Sequence, residues 1–422
     1  MPELAIRGGK PVRDVKNTPW PKWPQFGESE RKALTRVLDS GEWSYNGPME
    51  QKFNEAFKKF IKTKHALTVA NGTVSLQLAL EALDIGYGDE VIVPGLTWQA
   101  TAAAVLDVNA VPVLVDVKPD TWCISPAAVE KAITPRTRAV IPVHLYGCIA
   151  DMDAVLTIAR KRGLFVIEDC AHQHGSVWKN KPVGSIGDIG SFSFQLSKVL
   201  TAGEGGALTT DDRELFVRLD ALRNCGRRPV EETGRKGSGV YVSEGDLIQS
   251  GNYRISEFQA AILAEQLRRM PSQVKKRDRN AIYLNGLLSY IPGIRPMERD
   301  RRTSVQSYFN FAFRYDATAF KGLPVGEFRS ALAGELGITV EPCYIPLSDC
   351  PLYRPLTKSR YNINTRHFRR IDPSRFTLPV SVKAYRAESV CFHHSVLLAT
   401  KKDMDQIADA IVKIGENVDE LL

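Results

Sequence analysis

From His65 to Asp169, apolar runs alternate with amphipathic stretches in one repeating order, and this rhythm restricts the fold more than any other feature of the chain. Glu90–Pro94, Val111–Val117, Ala139–Leu145 and Leu164–Asp169 read as strands, with Thr97–Leu106, Pro126–Ile133 and Met152–Arg162 as the helices between them. A near-continuous apolar strand has no face to give to water, so both faces of its sheet must be covered. The expectation is an α/β fold built on a parallel or mixed sheet. Ligands of such sheets bind beyond the carboxyl ends of the strands. Asp169 and the Asn71-Gly72 turn both fall at that end.

Three pieces of sequence carry chemistry. The stretch Gly190–Thr210 runs from an alternating strand through Gln195-Leu196-Ser197 to Lys198, then closes on Gly203-Glu204-Gly205-Gly206. A lysine in an apolar, glycine-hinged turn is poorly solvated, and burial favours the neutral, nucleophilic amine. Asp169 ends the buried strand 29 residues earlier. Thr68–Thr73 leads a strand into a turn and then into an apolar-periodic helix, whose free amides beside Gly72 and Thr73 suit a phosphate. Alone, each has an ordinary reading: a hairpin lysine, a capping or salt-bridging acid, a common Asn-Gly turn.

Together they match the needs of one cofactor. Pyridoxal phosphate requires a lysine to hold its aldehyde, an anion to keep its ring nitrogen protonated, and a cradle for its phosphate. Lys198, Asp169 and the Gly72-Thr73 turn supply these.

The motifs EDCAH at 168–172, SFSFQLSK at 191–198, GEGGA at 203–207 and GNYRISEFQAAIL at 251–263 resemble those of the DegT/StrS aminotransferases, and the likeness covers nearly the whole chain. The resemblance implies a fold-type-I transferase dependent on pyridoxal phosphate. Its large domain would carry a mixed, mostly parallel sheet, followed by a smaller C-terminal α/β domain. It implies that Trp98 stacks on the cofactor ring, that His172 contacts the ring's phenolic oxygen, and that Ser193 reaches the phosphate. Asn252 would cross from a second subunit to the phosphate, making a homodimer with shared active sites. Lys198 and Asp169 would be the catalytic pair.

Departures within the family point to a branch. Gln195 stands where many sugar-nucleotide members have His, and residues 96–117 and 256–263 look closest to the aminocyclitol enzymes that act on 2-deoxy-scyllo-inosose or scyllo-inosose. The implied reaction moves an amino group from L-glutamine or a similar amino acid to a cyclitol ketone, for aminoglycoside-type antibiotic assembly. The alternatives are an aminohydroxybenzoate synthase, a keto-sugar aminotransferase and, outside enzymes, a regulator that binds the same cofactor. The family's dehydratases carry His in place of the lysine, unlike Lys198. Ser348 replaces a common His, and His393-His394 stays open between a packed pair and a substrate contact.

Composition narrows the rest. The 422 residues suffice for an N-terminal arm (1–27), a large domain (28–290) and a small one (291–422). Residues 225–250 read as a mobile loop, Gly251–Arg254 as the opening of a helix, and Pro271 as the break between helices 256–270 and 273–288. No apolar run reaches membrane-spanning length, and the start lacks signal-peptide character. Seven cysteines without a Cys-x-x-Cys suggest a reduced, cytoplasmic protein, and no His-x-x-x-His pair suggests a metal. The net charge of +8 reads as a solvated face rather than a nucleic-acid surface, because acids interrupt the basic clusters at 295–302 and 358–375.

Overall fold

The computed structural model describes residues 3–227 and 248–422, so most of the loop expected at 225–250 lies outside the described residues. A seven-stranded sheet forms the centre: β1 (His65–Val69), β2 (Glu90–Pro94), β3 (Val111–Val115), β4 (Thr137–Val140), β5 (Phe165–Asp169), β6 (Ile189–Ser193) and β7 (Gly206–Thr210). Their spatial order is β1-β7-β6-β5-β4-β2-β3. β7 runs antiparallel to both neighbours, while the remaining pairs from β6 to β3 are parallel. The sheet is therefore mixed and mostly parallel.

Successive side chains on these strands point to opposite faces, and each face has its own core. Ile92, Val140, Val166 and Phe192 pack into one, with helix residues Phe53, Phe57 and Met152. Val91, Val93, Ile141 and Ile167 pack into the other, with Leu78, Leu80 and Leu106. A third core joins Leu4 and the end of the Glu257–Leu288 helix to residues between Ile294 and Val418. It covers a three-stranded antiparallel sheet of Ile294–Pro296, Asn310–Tyr315 and Ser389–His393. The N-terminal residues lie against this core: Leu4 is buried, Arg13 pairs with Asp403 at 2.6 Å, and the Trp20 indole donates to the Leu336 carbonyl at 2.8 Å.

Two sequence expectations fail here. Pro271 does not divide a helix; Glu257–Leu288 is one helix of 32 residues. Proline removes one backbone hydrogen bond and strains the turn before it, at a local cost of about 3 kcal/mol. Buried Leu267 and Met270 before the proline, and Val274 and Ala281 after it, hold the helix on one line. Gly251–Arg254 does not open that helix. Asn252 forms an isolated bridge with Asn224, and the helix starts past Ser256, whose side chain takes part in a capping box with Gln259.

The aromatic residues beside β6 test how the sheet supports its own carboxyl end. Phe57 lies 5.0 Å from Phe192 and 5.7 Å from Phe194, ring to ring, and is fully buried. Phe57→Ala is expected to destabilise the protein by about 3–5 kcal/mol, because a large ring is lost from a packed core. Urea unfolding followed by fluorescence checks this.

Candidate active site

β6 delivers the lysine turn. Past Ser193, the Phe194 amide donates to the Gly205 carbonyl at 2.8 Å, and the Ala202 amide returns to the Phe194 carbonyl at 3.1 Å. Gly205, with φ of 150°, takes a backbone form that a side chain would strain. Within the turn, the Gln195 amide oxygen accepts from the Ser197 amide (2.9 Å) and hydroxyl (2.6 Å), and the Lys198 amide donates to the Gln195 carbonyl (2.8 Å). The Lys198 amine is buried and lies 4.0 Å from the centre of the Phe309 ring. Burial pushes it down to about 8, against the opposing pull of Asp169.

β5 carries two adjacent acids with opposite fates, as its alternation requires. Glu168 turns inward, where its oxygens accept from the amides of Gly184 (3.0 Å), Ile186 (2.7 Å) and Gly187 (2.8 Å) and sit 3.1 Å from His144 Nε2. His144, Glu168 and Cys170 group their ligand-type atoms within 4.8 Å, but Glu168 is already committed to fastening the strand to the 184–187 loop. Asp169 instead lines a cavity. It accepts from the Thr101 hydroxyl at 2.9 Å and the Ala171 amide at 3.2 Å. Burial raises its pKa above the carboxylate norm, more than these two bonds lower it.

β1 ends at the third piece. Asn71 caps the Gly72–Ala82 helix by accepting the Val74 amide at 2.9 Å, and the first two helical residues, Gly72 and Thr73, line the same cavity. A Cβ on Gly72 would meet the Ser193 Cβ at 2.6 Å, so the helix start and the end of β6 approach as only glycine allows. His172 is buried under the cavity wall, stacked on Phe309 at 4.0 Å. The Tyr146 amide donates to its Nδ1 (3.3 Å), which puts the proton on Nε2, 3.1 Å from the Tyr344 hydroxyl. Burial first, and then the Lys198 charge, hold this imidazole well below its usual pKa and therefore neutral.

The cavity measures about 620 Å³, within the range of small-molecule sites. Gly72, Thr73, Trp98, Asp169, His172, Ser193 and Lys198 all line it; Trp98 stands half-exposed at 46% and 5.6 Å from Tyr344. Asn252 is not among the lining residues. It is exposed, its side-chain oxygen taken by Arg254 at 2.8 Å. Thr101, Phe309 and Tyr344 share the cavity but escaped the sequence reading. Thr101 lies three residues past Trp98, close enough in helical spacing to have been found, whereas Phe309 and Tyr344 arrive from distant chain with no local signal.

These residues suit pyridoxal phosphate on structural grounds. Burial draws the amine down to about 8, the buried carboxylate makes no ion pair among the described residues, and the helix start is a glycine cradle attractive to an anion. The sequence profile of the DegT/DnrJ/EryC1/StrS aminotransferase family matches residues 24–390. The chain belongs to that family. Like other DegT/DnrJ/EryC1/StrS enzymes, it is an aminotransferase dependent on pyridoxal phosphate. It is similar to the L-glutamine:2-deoxy-scyllo-inosose aminotransferase of Streptoalloteichus tenebrarius, with 45% identity over 99% of each chain. It is also similar to the L-glutamine:scyllo-inosose aminotransferase of Streptomyces griseus, with 43% identity over 99% of each. Among solved structures, 3-amino-5-hydroxybenzoic acid synthase superposes with a TM-score of 0.80 at 32% identity, covering 95% of this chain and 99% of the other. DesV of S. venezuelae gives 0.78 at 32% identity over 99% of both.

The electrostatics of this DegT/DnrJ/EryC1/StrS site predict how the cofactor-free protein reacts. Labelling of Lys198 by a small electrophile should rise with pH through about 8, where ordinary lysines are still charged. Because Asp169 favours the charged amine, Asp169→Asn should move that rise to lower pH. Mass spectrometry of the labelled peptide across pH 6–11 measures both; a midpoint near about 10.4 would contradict the burial argument.

Proposed function

We propose that this enzyme transfers an amino group from L-glutamine, or a similar amino acid, to a cyclitol ketone such as 2-deoxy-scyllo-inosose or scyllo-inosose. The product would feed aminoglycoside-type antibiotic assembly in the cytoplasm. The observation that carries this reading is the 45% and 43% full-length identity to the two inosose enzymes, against 32% to 3-amino-5-hydroxybenzoic acid synthase. No helix among the described residues is long and apolar enough to cross a membrane.

In this reading each cavity residue has one task. The Gly72 and Thr73 amides and the Ser193 hydroxyl would hold the phosphate, Trp98 would cover the ring, and His172 would offer its Nε2–H to the phenolic oxygen. Asp169 would accept from the ring nitrogen and keep a proton there, which would also relieve its own burial. Bound pyridoxal phosphate supplies an aldehyde that carries the amino group and a ring that takes up the electrons left when a Cα–H bond breaks. Lys198 Nζ takes that proton from the donor's Cα and returns one on the acceptor's side. An amine pushed down to about 8 can act as base and acid near neutrality.

We also read the active sites as shared between two subunits. Asn252 is exposed and outside the lining of its own cavity, which fits a residue serving a neighbour's phosphate. An open apolar groove lies against the lysine turn, lined by Phe26, Leu34, Leu196 and Ile262, and offers a surface for that neighbour. Within the chain, residues 28–290 would form the cofactor-holding domain and 291–422 the smaller one, with 1–27 as an arm that lies on the latter through Leu4, Arg13 and Trp20 and reaches the lysine turn through Trp23.

The purified enzyme with glutamine should aminate 2-deoxy-scyllo-inosose or scyllo-inosose faster than keto-sugars in a mixed panel. Preference for a keto-sugar would overturn the substrate assignment. Asp169→Asn should fold normally and lose on the order of 10² or more in turnover.

Shared sites make a further demand. Lys198→Ala and Asn252→Asp chains, each inactive or weak alone, should regain activity when mixed with subunit exchange. Random pairing makes about half the dimers mixed, each with one sound site, so recovery should approach roughly a quarter of wild type. No recovery despite proven exchange means that Asn252 serves its own chain or none.

A further inference from the structure

The two peptides before Lys198 are gripped from opposite ends of the chain. The Leu196 carbonyl accepts the Trp23 indole N–H at 3.0 Å. The Ser197 carbonyl receives two imidazoles at once, His393 Nε2 at 3.3 Å and His394 Nε2 at 3.1 Å. A carbonyl oxygen has two lone pairs and can only accept, so each ring must present N–H from Nε2. The other face of His393 agrees, since its Nδ1 accepts the Ser395 amide at 3.3 Å.

The surroundings suit neutral donors. Trp23 packs edge-on to His394 at 4.6 Å, and the two histidine rings lie 4.0 Å apart. Behind them sits Arg277, fully buried, 5.0 Å from the Trp23 ring, with no hydrogen-bond partner on any guanidinium nitrogen. Burial and this charge push His393 down to about 4 and His394 well below the usual range. Neutral imidazoles can hold the turn without placing another cation beside an amine that must lose its proton. The carbonyl they hold belongs to the peptide bond that enters Lys198, so fixing it fixes where the lysine's Cβ points.

We propose that Trp23, His393 and His394 are positioning residues for Lys198, a three-donor clamp on the Leu196 and Ser197 carbonyls that aims the amine into the cavity. The proposal rests on the reading of Lys198 as the cofactor-bearing amine. It gives a task to the His393-His394 pair, which the cavity itself does not use: neither residue lines it.

The test compares ring-preserving and donor-preserving variants. The double variant His393→Phe/His394→Phe keeps two rings and removes both donors; the double Gln variant keeps two N–H donors at similar reach. Measured quantities are the rate at which cofactor-free protein gains visible absorbance with pyridoxal phosphate, the labelling rate of Lys198, kcat and KM for both substrates, and Tm. The Phe variant should lose on the order of 10² in cofactor capture and in kcat with KM little changed, since small misplacements of a reacting group cost this much. The Gln variant should recover most of both.

Wild-type capture and turnover in the Phe variant would overturn the clamp. So would a Gln variant as slow as the Phe variant, with an equal fall in Tm, because the rings would then be packing alone. If the double Phe variant does not fold, the half-buried His393 decides it through His393→Phe against His393→Gln, with the same order of rates required. Borohydride reduction of the wild type separates the two readings. Label on another lysine sinks the role of Lys198 itself, whereas label on Lys198 with unchanged variant rates sinks only the clamp.

Discussion

Lys198 and Asp169 are both removed from water at one cavity without being joined to each other. Burial works on the two in opposite directions, drawing the amine down to about 8 and the acid upward, and their mutual attraction only partly offsets this. A direct ion pair would be the cheaper arrangement for folding, since a buried charge without a partner costs several kcal/mol. The protein prevents it by occupying each group elsewhere. Thr101 and the Ala171 amide hold Asp169, while Phe309 lies beneath the amine. The structure therefore keeps a gap with unsatisfied charge on both sides, and a cationic aromatic ring with an aldehyde is the shape of molecule that relieves it. Departures from local optimality of this kind are expected where a fold has a reaction to run.

What lies around that gap is fastening. Glu168 ties β5 to the loop at 184–187 through three amides, so the strand that carries Asp169 cannot rotate its acids. Phe192 and Phe194 set the exit of β6 into a nest of phenylalanines. His174 donates from Nε2 to the Ser193 carbonyl at 2.9 Å, beneath the start of the lysine turn. Glu168, Phe192 and His174, all fully buried, thus fasten the two strands that carry Asp169 and lead to Lys198.

The parts of this arrangement written in sequence are those governed by short-range rules. Alternating apolar strands, an Asn-Gly turn and a glycine-hinged lysine are local, and they point to the sheet, Gly72, Thr73, Asp169 and Lys198, whereas Trp98, His172 and Ser193 are expected from the family resemblance; all seven line the cavity. Pro271 shows the limit in one direction. A local rule predicts a break, but side chains buried on both sides of the proline outweigh it. Tyr344 and Phe309 show the limit in the other, because a residue brought in by the second sheet leaves no mark of its partner on its own neighbours. Asn252 marks a third: it lies outside the lining of its own cavity, and its contacts with Arg254 and Asn224 in a single chain do not reveal a role at the phosphate.

β7 is the one reversed strand of the sheet, and this has a consequence for how the protein can change. Elsewhere, the strand ends that line the cavity continue into helices and longer crossovers, which can lengthen or shorten while the sheet stays in register. The lysine turn is instead the tip of a hairpin: β6 and β7 pair from Gly190 with Thr209 to Ser193 with Gly206, so both ends of residues 194–205 are pinned one strand spacing, about 4.8 Å, apart. A residue added there would have to bulge toward the cavity or slip a register that alternates between two cores. The reactive amine is therefore on a turn closed at both ends by paired strands, while the crossover loops remain free to be rewritten for new acceptors. A lineage of such enzymes can diversify its substrates without renegotiating where its nucleophile stands.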